Sequence, residues 1–91
     1  MISQKLVDKL ESNGCFEYDD VLFIDEEALV DSLVGISQDG RAVYDYYSIA
    51  HDLMRFYSMS LEDAMAHIDC NIIRSLPYYG SKAPVIIDLM E

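Results

Sequence analysis

His67 and Cys70 stand three residues apart in "AHIDCN", a spacing that puts both side chains on one face of a helix. With His51 from the preceding segment and a carboxylate such as Asp69, they would make a donor set that zinc accepts. Either thiol, Cys15 or Cys70, would also serve as a nucleophile if an imidazole lay beside it as base. A small metal-dependent or thiol enzyme using His51, His67, Cys70 and nearby acids is therefore one reading of the chain. The neighbouring sequence argues against it. No second Cys or His pair occurs at finger-like spacing, and no glycine-rich turn flanks either thiol. Cys70 on an amphipathic helix is expected as a small buried hydrophobe. No catalytic residue, metal or cofactor is assigned, and the chain is read as a non-enzyme.

Carboxylates are far more plentiful. Asp19-Asp20, Glu26-Glu27 and Glu62-Asp63 are adjacent pairs. A hydrolase needs two or three acids converging in a cleft, whereas neighbours on a strand or helix point apart. Helix capping and solvation account for such pairs more simply. The overall balance is the stronger signal: seventeen acids against six bases, a net charge of -11. Such a field repels phosphates and anionic lipid and attracts basic surfaces. Direct nucleic-acid binding is excluded on the same ground, because a phosphate footprint needs clustered Lys and Arg.

The acids are uneven along the chain. Glu17, Asp19, Asp20, Asp25, Glu26, Glu27 and Asp31 fall in one stretch that contains no base. They are interleaved with "VLFI" and "ALV", so the stretch reads as a folded segment with one negative face and not as a disordered tail. Tyrosine supplies rigid contact area with a polar tip, which suits interfaces. Tyr18 lies inside the acidic stretch, and Tyr78 and Tyr79 lie between two chain breakers, Pro77 and Gly80. These three join the seven acids as candidate partner-binding residues. Tyr44 is expected in the core, with Tyr78 or Tyr79 exposed.

The elements that must position these groups follow from periodicity. Ninety-one residues, 52% of them hydrophobic, make one domain spanning 1–91. No apolar run nears the ~20 residues of a membrane span, and the N-terminus lacks a secretory pattern, so a cytoplasmic protein with reduced thiols is expected. Ile2, Leu6 and Leu10 predict a helix over 3–13, stopped by Asn13-Gly14. Residues 25–31 suit a short helix starting at Asp25. "SLVGIS" and "RAVYD" around Asp39-Gly40 predict a hairpin, with strands at 32–37 and 41–45. The period then lengthens. Ile49, Leu53 and Phe56, with Ala50, Met54 and Tyr57 beside them, predict a helix over 46–57 capped by Asp45. Ser60 and Asp63 form a capping box opening a second helix over 61–73, its apolar face Leu61, Ala64, Met65, Ile68 and Ile72. "VIIDL" predicts a last strand. Arg41 is expected to pair with Asp39 or Asp45. The fold class is α+β: a small antiparallel sheet of about three strands, packed by the 46–57/61–73 helical hairpin and the N-terminal helix.

Two segments carry a resemblance. "VGISQDGRAVYDYYSIAHDLM" and "SLEDAMAHIDCNIIRSLPYYGSKAPVII" resemble a group of small acidic hypothetical proteins from phages and mobile elements of gut Firmicutes. The shared pattern has the hairpin from Gly35 and Gly40 to Tyr44, a helix, "IDCNIIRSLPYYG" and "APVII", together covering about residues 33–87. The resemblance implies a phage or mobile-element origin and, with it, a modulator of host machinery. The leading expectation is thus a non-enzymatic acidic interaction protein. Its partner would be a basic surface on a host protein, met as a nucleic-acid mimic or anti-defence inhibitor, with no membrane involved. A homodimeric structural protein is a further reading.

Overall fold

The computed structural model describes residues 4–14, 20–24 and 27–89, without the Glu27 side chain. Helix α1 (Gln4–Ser12) buries Leu6 and Leu10, the two described members of the predicted stripe. It ends where predicted: Asn13 N–H bonds back to the Lys9 and Leu10 carbonyls, and Gly14 takes a φ of 79°. The short helix before the hairpin is a 3₁₀ helix, Glu27–Ser32, sealed into the core by Ala28, Leu29 and Val30.

The hairpin follows, with β1 (Leu33–Ile36) antiparallel to β2 (Ala42–Asp45) and a bulge between Leu33 and Gly35. Its turn runs Ser37 to Gly40. Gly40 N–H donates to the Ser37 carbonyl at 2.9 Å, and Gly40 sits at φ 81°, a region in which a β-carbon would clash with the backbone. The third strand, β3 (Val85–Ile87), lies on the far side of β2 in the order β1-β2-β3. It pairs parallel to β2, Tyr44 opposite Ile86, so the sheet is mixed and the expected wholly antiparallel arrangement is corrected. The physical reason is the connection. The chain crosses from β2 to β3 through two helices and an irregular segment, long enough to return the strand in the same direction, which a tight turn cannot do. Arg41 stitches this arrangement. Its Nε–H donates to the Ala83 carbonyl at 2.7 Å, just before β3, in place of the carboxylate partner expected for it.

Helix α2 (Tyr46–Tyr57) starts directly from β2, with the Asp45 side chain accepting Ser48 N–H, as predicted. It buries Ile49, Ala50, Asp52 and Leu53. Phe56, expected on this stripe, is half exposed, its ring flanked by the Arg55 guanidinium at 5.3 Å and the Lys5 ammonium at 5.7 Å. After the left-handed Ser58, the Ser60 hydroxyl caps α3 (Leu61–His67) through Asp63 N–H. The helix continues as a π-helix, Ile68–Ile73, which keeps Ile68 and Ile72 buried. A second 3₁₀ segment, Leu76–Lys82, is broken at Gly80 and leads to β3. One core joins α1, the first 3₁₀ helix, the hairpin, α2 and α3, with Tyr44, Leu29, Ile49, Leu53 and Ile68 fully enclosed. Among the described residues no helix is long and apolar enough to cross a membrane.

Candidate partner-binding surface

The chain carries only six bases. Five of them turn their charge onto the protein itself. Lys9 at the end of α1 donates from Nζ to the Val30 carbonyl at 2.8 Å and the Leu33 carbonyl at 2.7 Å, closing the junction between the 3₁₀ helix and β1. Burial there pulls the Lys9 amine below the usual lysine range, although the Asp31 and Asp52 carboxylates oppose the shift. Arg41 is held by the Ala83 carbonyl, and Lys82 by the Asp39 carbonyl. Lys5 and Arg55 both reach Asp31, each at 3.4 Å, and Arg55 also reaches Asp52 at 3.1 Å. Arg74 is exposed after the π-helix.

Three of these five cations therefore bind neutral backbone carbonyls and not carboxylates. Asp8 and Glu11 on α1, Asp20, Asp39 in the hairpin turn, Glu62 and Asp63 on α3, Asp69 in the π-helix and Asp88 after β3 are all exposed. Asp39 is held ionised below the usual carboxylate range, first by the Ser37 hydroxyl. Only Asp45 and Asp52 are buried acids among the described residues, and both are tied into hydrogen bonds.

Of the residues expected to meet a partner, Asp20 is exposed. Asp31 is half exposed and bridges α1 to α2 through Lys5 and Arg55, so structural pairing takes part of its charge. Tyr78 is 91% exposed, and Tyr79 is half-buried. Glu17, Tyr18, Asp19, Asp25 and Glu26 lie outside the described residues, as does the Glu27 side chain. The candidate acids all fall within 17–31; beyond it, Glu62 and Asp63 are expected as helix-capping acids, and the other exposed acids carry no local signal of partner binding. A net charge so far from zero already signalled them, since it needs more carboxylates than that stretch holds.

The two imidazoles and the Cys70 thiol are dispersed in role, and Cys15 lies outside the described residues. His51 is exposed on α2, His67 is half-buried with its Nδ1 3.3 Å from the Asn71 amide, and Cys70 is exposed, not buried as its type suggested. Among the described residues no three His, Cys, Asp or Glu side chains come together as a metal-binding group. No protein-family profile, no curated protein and no solved structure matches the chain.

Proposed function

We propose that this chain is a non-enzymatic, acidic interaction protein that docks on a basic surface of a partner protein. The observation that carries the reading is the disposition of the bases: five of six are engaged in internal contacts, three of them on backbone carbonyls, while carboxylates occupy the exterior. The resulting field accelerates encounter with a cationic surface and disfavours nucleic acid and anionic lipid as direct partners. On the phage or mobile-element origin that the resemblance implies, the partner is a host protein that otherwise holds nucleic acid. The chain then acts as a phosphate mimic that competes for that surface.

The test is capture from host cytoplasm with the whole chain and with a charge-reversed variant (Asp19, Asp20, Glu26 and Glu27 to Lys). A nucleic-acid-binding protein recovered by the first and lost by the second, and released by added nucleic acid, is the expected result. Equal recovery by both removes the electrostatic basis of the reading.

A further inference from the structure

A cleft of about 250 Å³ is lined by Tyr46, Ile73, Leu76, Ile86, Ile87 and Asp88. Among the described strands β3 pairs with β2, and the cleft gathers side chains from β3, the end of the π-helix, the 3₁₀ segment after it and the start of α2. Four aliphatic side chains make the floor. Charge of a single sign marks the rim. Asp88 lines it directly, and Asp69 is fixed beside it by the Tyr46 hydroxyl, which donates to Asp69 Oδ1 at 3.3 Å. Burial, then the Asp69 carboxylate, with Asp88 a smaller contributor, push the Tyr46 phenol above its usual range, which places both acids within electrostatic reach of the ring. Tyr46 also meets Tyr47 edge-on, at 5.5 Å between centroids and 79° between planes, and Tyr47 is half exposed. Arg74, the base nearest in sequence, does not line the cleft.

An apolar lining, the Tyr46 ring, the Asp88 carboxylate and a second carboxylate, Asp69, held by the Tyr46 hydroxyl suit one kind of guest: a side chain with an aliphatic stem and a flat cation at its tip. We infer that this cleft receives an arginine side chain projected by the basic partner, the stem lying over Ile73, Leu76, Ile86 and Ile87 and the guanidinium meeting Asp69 and Asp88. Arginine fits better than lysine because its planar fork bonds carboxylates in pairs and stacks on aromatic faces. The larger cleft between α1 and β1, about 350 Å³, offers the opposite chemistry, since the charged group lining it is Lys9. This inference rests on the basic-partner reading and gives it an anchor residue.

Amide NMR titration of the full chain with acetyl-Gly-Arg-Gly-amide tests it, with the citrulline peptide as an uncharged isostere. The arginine peptide is expected to shift Tyr46, Ile73, Leu76 and Ile86 to Asp88, and the citrulline peptide to bind several-fold more weakly. Asp69→Asn and Asp88→Asn, both at exposed positions, are each expected to weaken binding about two- to fivefold, as loss of a rim charge does, with the spectrum unchanged elsewhere. Equal binding of citrulline, or no shift at the cleft, overturns the inference. Arginine shifts that map to Asp20 and Asp31 and ignore both variants overturn it too, while leaving the basic-partner reading standing. The capture experiment above decides that reading separately.

Discussion

Asp45 ties the start of α2 to the chain that leaves β3: the Leu89 N–H donates to Asp45 Oδ1 at 3.0 Å, while Oδ2 accepts Ser48 N–H at 3.0 Å and Ser48 Oγ at 2.8 Å. One carboxylate thus caps a helix and anchors a strand forty-odd residues away. The Leu89 bond, helped by Ser48 and opposed by burial, holds its pKa below the usual aspartate range. A folded-state pKa below the unfolded one stabilises fully above the ordinary aspartate value near ~4 and fades as pH falls through the folded value. Asp45→Ala is therefore expected to lower stability by about 1–2 kcal/mol near neutrality and to flatten the acid side of the urea-midpoint profile. Equal acid sensitivity in the variant and the parent would contradict this role.

Tyr44 responds at the other end of the pH scale. It is 2% exposed, its hydroxyl accepts the Ile24 N–H at 3.1 Å, and burial pushes its pKa up to about 12. The raised value means that the neutral phenol is the stabilised form. That stability is whole below the ordinary tyrosine value near ~10 and is lost as pH climbs toward the folded value. Tyr44→Phe is expected to cost about 1 kcal/mol by stripping Ile24 of its acceptor, and to abolish the last step of the phenolate absorbance titration. A titration that keeps that step in the variant would assign it to another ring.

Much of this was legible in the residues. Asp39-Gly40, Asp45, and Ser60 with Asp63 mark a turn and two helix starts by local chemistry, so the hairpin and the helical hairpin stand where the period changes predict. The direction of β3 was not legible, because "VIID" has the same alternation in either orientation and only the three-dimensional route from Tyr46 to Pro84 decides it. Phe56 misleads for a related reason: periodicity places it on the buried side, but the ring is half exposed and two cations flank it instead. As for the candidate surface, composition foretold its sign. It could not foretell that Lys9, Arg41 and Lys82 bind carbonyls, since those bonds span twenty-one to forty-three residues.

The pair most hidden from sequence is Ser32 and Asp52. Ser32 is fully enclosed, and its hydroxyl donates to Asp52 Oδ2, while Arg55 closes the other oxygen at 3.1 Å. Asp52→Ala leaves a buried hydroxyl without its acceptor and is expected to cost about 1–3 kcal/mol. Ser32→Ala should cost less, because Arg55 still holds the carboxylate. The double variant should be less damaging than the sum of the two, with a coupling of about 0.5–3 kcal/mol. Urea denaturation of the four proteins gives the cycle, and strict additivity would show that the contact contributes nothing to stability.

His51, His67 and Cys70 separate the interaction reading from the enzyme one. His51 and Cys70 are exposed on successive helices, and the polar contact at the His67 ring is with Asn71, an amide that neither accepts a proton from a nucleophile nor binds zinc strongly. A catalytic or metal role would make all three indispensable. A role in presenting carboxylates makes them replaceable. Cys70→Ser, His51→Ala and His67→Ala are each expected to change stability by no more than about 0.5 kcal/mol and to recover the same partner at the same salt concentration as the parent chain. Cys70 should also react with a water-soluble disulfide in the native protein as freely as an exposed thiol does. Loss of partner recovery in the His67 or Cys70 variant, with the fold intact, would move function away from the acidic exterior and onto the helix that carries those two side chains.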